Sequence, residues 1–165
     1  MDKQEENQKQ LDTAEGYSAV WEIVKDTVKV VLKKQRKGML LFLDDMPLRL
    51  GAYHPLGTNN IVLNRALVQI VEAATNSRKL LNAFVYVLLV HEYLHALGYI
   101  PEAQVRPLVY RISNECFGEE HIATKLAEQG PWSLLRGLPL DTLRAPKQVM
   151  EIVKDFEKTN QRYIV

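Results

Sequence analysis

A chain of 165 residues with 47% hydrophobic content has the size of one domain and enough apolar material for a continuous core. Its 21 basic and 20 acidic side chains leave a formal charge of +1, which excludes a strong overall field, so no strong direct nucleic-acid binding is expected. A single cysteine, Cys116, excludes an internal disulfide and a multi-cysteine zinc site, and fits a reduced, cytoplasmic setting.

The opening MDKQEENQKQ is almost wholly polar and lacks the apolar stretch of a secretory signal, so residues 1–12 are expected to form a disordered tail. Residues 13–165 read as one domain. From Ala14 to Lys37, Val20, Ile23, Val24, Val28 and Val31 recur at i, i+3, i+4, predicting an amphipathic helix stopped by Gly38. Met39 to Leu43 has the length of a buried strand between breakers. Arg49 to Tyr53 and Asn60 to Leu63 predict an antiparallel hairpin around Pro55 and Gly57, with His54 a turn residue. Asn64 is placed to cap a helix from Arg65 to Ala74.

The run from Arg78 to Leu97 is apolar on every side in its middle, as in a helix packed all round, and Gly98 is its stop. Its apolar core, Ala83 to Val90, is far short of the ~20 residues that cross a bilayer, so no membrane partner is expected. Further helices are predicted from Pro101 to Phe117, with Pro107 kinking it or delaying its start, from Glu120 to Gln129, and from Pro146 to Gln161. The part from about residue 131 is read as helical, with Trp132, Leu134, Leu135, Leu138 and Leu140 capping the core.

Chemistry enters at His91-Glu92-Tyr93-Leu94-His95, an HExxH sequence on a helix. Four-residue spacing puts both imidazoles on one face, a turn apart, where they can converge on one ion. A catalytic zinc takes three protein ligands and leaves a fourth position to water. Glu92, about 100° round the helix from His91, reaches that water without being a ligand and serves as general base. Three ionisable groups unpaired in an apolar helix would cost several kcal/mol, roughly 2–7 for even one neutral polar group, and a metal relieves most of that.

With this motif, and with Gly51-Ala52-Tyr53 and Asn60-Ile61-Val62-Leu63-Asn64 upstream of His95-Ala96-Leu97-Gly98, the chain resembles the zincin metallopeptidases. The resemblance implies an α+β fold. An N-terminal backing helix would precede a small, mostly antiparallel three-stranded sheet, then the HExxH helix and C-terminal helices. The outer strand, Asn60 to Leu63, would pair with an extended peptide. It also implies one catalytic zinc ion and hydrolysis of peptide or protein substrates.

The third ligand has more than one reading. The metzincin position, six after His95, is Pro101, and Glu102 is one step off register. Gluzincins use a glutamate on the following helix, which points to Glu115 of Asn114-Glu115. SprT-like proteases use a histidine at the start of the next helix, which points to His121. A helix N-terminus disfavours the protonated imidazole, so His121 is the favoured reading and Glu115 the alternative. Tyr53, Tyr93, Tyr110, Arg65 and Arg106 are unranked candidates to polarise a carbonyl. The competing function is a catalytically inactive zincin-fold module that binds peptides or proteins. A third, a protease attached to DNA repair, is disfavoured by the balanced charge. The C-terminal stretch is a candidate cover for the cleft.

Overall fold

A computed structural model describes residues 2–138 and 147–157, which form six α-helices and a four-stranded mixed sheet, an α+β arrangement. Helix α4 (Arg78–Ala96) runs through its middle, capped at its start by Ser77, whose Oγ accepts from the Leu80 amide. Every residue from Asn82 to Val90 is buried, because α4 is enclosed by α1 (Lys3–Thr13), α2 (Gly16–Leu32), α3 (Arg65–Thr75), α5 (Glu102–Phe117), α6 (Ile122–Gln129) and the sheet. Its all-round apolar character is thus explained by packing on all sides. Among the described residues no helix is long and apolar enough to cross a membrane.

The sheet has the order β2-β3-β1-β4, from β1 (Leu40–Asp44), β2 (Ala52–Tyr53), β3 (Asn60–Asn64) and β4 (Glu151–Ile152). The expected hairpin forms, with Ala52 opposite Leu63 and Tyr53 opposite Val62. Two expectations fail here. The longest pairing, Leu40 to Asp44 against Asn60 to Asn64, is parallel, and Asn60 to Leu63 is therefore an interior strand instead of the outer one. The outer strand is β2. At the other edge β4 adds a fourth strand, antiparallel to β1, that no periodicity announced.

Most of residues 1–12, expected as a disordered tail, lies in the helix α1, Lys3–Thr13. Its attachment is polar. Gln4, Asn7 and Gln8 donate side-chain amides to the carbonyls of Glu115, Cys116 and Phe117, the unpaired C-terminal carbonyls of α5. Asn82 in turn donates to the carbonyls of Leu11 and Ala14, closing the end of α1. Helix α2 stops at Leu32, before Gly38, because Lys33 takes a left-handed conformation (φ 59°). Pro107 is accommodated within α5.

The predicted helix from Pro146 to Gln161 is not found over residues 147–157, where β4 and turns stand instead; Pro146, residues 158–161 and Leu140 lie outside the described residues. Asp155 is left-handed (φ 58°), which breaks a helix. Phe156 stacks on Trp21 at 4.7 Å, and the buried Glu157 carboxylate accepts from Trp21 Nε1 (3.2 Å), Gly38 N (2.9 Å) and Met39 N (3.0 Å). The described C-terminal stretch thus lies along the β4 edge, with β1 and β3 between it and β2. Of the predicted cap, Pro131–Leu135 is a 3-10 helix with Leu135 buried and Trp132 and Leu134 packed on the core, while Leu138 is exposed.

Asn64 stands at the start of α3 without capping it. Its fully buried amide accepts from Met46 N (3.1 Å) and donates to the carbonyls of Met46, Pro47 and Leu50 (3.1, 3.1 and 2.8 Å), so one side chain hangs the loop that leads into β2. Replacing it leaves these groups without partners. Asn64→Ala is expected to lower the unfolding free energy by about 3 kcal/mol in urea denaturation. A loss under about 1 kcal/mol would show that the loop holds itself.

Candidate metal centre

The last turn of α4 carries the HExxH residues, and the way that turn ends decides what faces them. Gly98 is left-handed (φ 104°), the Tyr99 amide donates to the Leu94 carbonyl (3.0 Å) and the Gly98 amide to the His95 carbonyl (3.0 Å). This is a Schellman ending, which reverses the chain tightly. Pro101 then takes the extended N-cap conformation, and Glu102 is the first residue of α5. The reversal sets the Glu102 carboxylate against both imidazoles: 2.9 Å from His91 Nε2 and 2.8 Å from His95 Nε2.

His91, His95 and Glu102 offer three ligand atoms, all within 4.8 Å of one another, and among the described residues they are the cluster of this kind. The two rings lie 5.0 Å apart, inclined by 68°. His95 is oriented from behind, since its Nδ1 donates to the Tyr99 carbonyl at 2.9 Å. With Nδ1 turned to that carbonyl, Nε2 is the ring nitrogen that faces Glu102. Two imidazole nitrogens and a carboxylate are also the donor set a catalytic zinc takes, so the residues fit the metal on chemistry as well as geometry.

Electrostatics agree with this. Burial pushes the His91 imidazole below its ordinary value, against the pull of Glu102, which favours the neutral ligand form. Burial pushes Glu102 upward, but the charges and hydrogen bonds of His91 and His95 together outweigh it and hold the carboxyl below its ordinary value. Glu92 is different. It is 7% exposed, and burial pushes its carboxyl up to about 7. A carboxylate in that range is well matched to accept and return a proton near neutral pH.

His91, Glu92 and Glu102 line a cleft of about 650 Å³. One wall is the entry to β2, Leu50 to Ala52, and the others are α5 and the Gln129 to Trp132 turn. Gly51 permits the close approach of that wall to α4: a Cβ there would stand 2.9 Å from Leu88 Cδ2, one turn before His91. The Asn64 amide donates to the Gly51 carbonyl at 2.9 Å, so Gly51 is the hydrogen-bonded member of the ladder, and the N–H and C=O of Ala52 face outward.

The structure does not bring His121 to the pair. It is the N-cap of α6, with Nδ1 accepting from the Ala123 amide (3.1 Å) and Nε2 donating to Asp12 (2.9 Å), so both ring nitrogens are used. Glu115 is exposed and pairs with Arg111 on the same helix. His54 bonds the Asn60 carbonyl in the hairpin turn. Of the five carbonyl-polarising candidates, Arg106 and Tyr110 line the cleft. Tyr93 instead brackets the backbone of Arg36, Arg65 is paired with Asp45 (3.0 Å), and Tyr53 is exposed on the edge strand. Cys116 is buried, and burial raises its thiol to about 11, as expected of a core residue.

The raised Glu92 pKa has a consequence for stability. The folded state holds the Glu92 proton up to about pH 7, whereas an unfolded carboxyl releases it near 4.3, so between these values the folded chain binds more protons and stability falls as pH rises. In metal-free protein, Glu92→Gln removes this penalty. The variant is expected to exceed the parent by about 1–3 kcal/mol in unfolding free energy at pH 8 and to match it at pH 4. Equal stability at both pH values would contradict the buried, unpaired carboxylate.

No protein-family model matches the chain, and no curated protein or solved structure matches it either. Its chemistry is read from its own atoms.

Proposed function

We propose that this protein is a zinc-dependent peptidase in which His91, His95 and Glu102 hold the metal and Glu92 is the general base. The observation that carries the reading is the convergence of the three ligand atoms within 4.8 Å, with two of the three, His91 and Glu102, lining a cleft beside the buried Glu92. When bound, zinc supplies Lewis-acid polarisation of a carbonyl and makes a water acidic at neutral pH. Glu92 accepts the proton of the water that attacks the carbonyl carbon. As the carbon–nitrogen bond breaks, it passes that proton to the departing amine, leaving a carboxylate and an amine.

The rest of the cleft suits an extended peptide. The outward N–H and C=O of Ala52 give main-chain pairing at the sheet edge, a role that passes from β3 to β2. Tyr110 and the exposed Arg106 stand along the same cleft as donors toward a polarised carbonyl or a peptide carboxylate.

Metal analysis with activity measurements tests this. The purified protein should hold one zinc ion per chain, and His91→Ala, His95→Ala or Glu102→Ala should each lose it, while His121→Ala keeps it. Glu92→Gln should keep zinc and peptide affinity but lose roughly 10²–10⁴-fold in turnover. If Glu92→Gln leaves peptide cleavage unchanged, or the parent cleaves nothing while binding peptides, the site is a binding module and the enzyme reading is wrong.

A further inference from the structure

The cleft beside the metal ligands has an apolar end. Along α4, Val87 and Leu88 stand one turn before His91 and Glu92, so the face that carries a ligand and the base continues into aliphatic side chains about 6 Å along the axis. Both line the cleft although they are almost wholly buried, as does Val109 of α5, and the three form its floor. Half-buried Ala127, Pro131 and Trp132, from the last turn of α6 and the 3-10 helix after it, form the adjoining wall. The elements that bring these side chains together pack on one another. On the β2 side the floor is closed, because the Gly51 backbone lies against Leu88.

This end of the cleft selects by desolvation. Apart from the Trp132 indole N–H, the floor and wall side chains offer no hydrogen bond, so a polar group entering there gives up its water with little in return. An aliphatic or aromatic group gains by leaving water. The reach also suits a peptide. Side chains of an extended strand alternate between its two faces, so with a peptide carbonyl at the metal ligands, a residue adjoining that carbonyl turns its side chain onto α4. A cleft of about 650 Å³ has room for a large side chain together with its backbone.

We infer that the cleft selects peptides with a large aliphatic or aromatic side chain, of leucine or phenylalanine size, next to the bond that is cut, and that the Val87, Leu88 and Val109 floor and the Ala127, Pro131 and Trp132 wall hold that side chain. The inference rests on the peptidase reading for the bond that is cut, and on the cleft alone for the side chain that is held.

The full chain carrying Glu92→Gln and supplied with zinc separates holding from cutting. In NMR titrations with blocked pentapeptides of glycine that carry one other residue at the centre, leucine and phenylalanine should bind at least about tenfold more tightly than alanine or asparagine. The Trp132 indole N–H should shift saturably, whereas that of the other tryptophan, the fully buried Trp21, should not. Ala127→Phe, which fills the pocket, and Trp132→Ala, which removes part of its wall, should each reduce the phenylalanine-to-alanine affinity ratio below about threefold; a ratio is insensitive to a general loss of affinity. The parent should cleave the leucine and phenylalanine peptides with a kcat/KM at least about tenfold above the alanine peptide. The inference is overturned if alanine binds as tightly as leucine, if both variants keep the full ratio, if no peptide shifts the Trp132 N–H up to about 20 mM, or if the parent cleaves without apolar preference, a result that leaves the peptidase reading intact. Apolar preference in binding with no cleavage by the parent would support the pocket and overturn the peptidase reading.

Discussion

The tight reversal between α4 and α5 is the constraint on which the site depends. A left-handed Gly98 and two backbone hydrogen bonds end α4 directly after its second histidine, and Pro101 starts α5 three residues later. Within that distance the chain cannot travel elsewhere, so the first side chain of α5 falls over the imidazoles. The same turn supplies the Tyr99 carbonyl that orients the His95 ring. One short segment thus provides both the third donor of the cluster, a carboxylate oxygen, and the orienting partner of a nitrogen donor, as the proposed metal site requires.

Rigidity behind the site comes from α4. Its middle is packed on all sides, and Tyr93, within the motif itself, bonds the N–H and C=O of Arg36 and meets the edge of Trp21 at 4.8 Å. Trp21 is in turn stacked on Phe156 and bonded to Glu157. The C-terminal segment therefore supports the motif helix through Trp21, by aromatic contact and a buried carboxylate. The histidines keep their positions because the helix has no room to shift.

Much of this was legible in the sequence, and for identifiable reasons. Periodicity located α2 to α6, the hairpin and the end of α4 at Gly98, because each has an apolar stripe or a turn residue whose physics is local. The HExxH spacing placed His91 and His95 on one face. What escaped depends on contacts distant in sequence. Helix α1 is held by amides from Gln4, Asn7 and Gln8 on carbonyls over a hundred residues away, which leaves only Leu11 as an apolar trace. Strand β4 forms because β1 offers an edge. His121 stands at a helix start as expected, but its Nδ1 accepts from the backbone of its own helix and its Nε2 meets Asp12. Glu102 was within sight: a glycine stop, then a proline N-cap, then a glutamate at the first helical position is a local signal that the next helix begins against the last turn of the former.

The most direct measurement is zinc-edge X-ray absorption on the zinc-loaded protein, which counts imidazoles around the ion. The account predicts a first shell of nitrogen and oxygen only, at about 2.0–2.1 Å, with the outer-shell signature of two imidazoles, unchanged in His121→Ala. A third imidazole in the shell, or a protein that takes up no zinc at all, would contradict it.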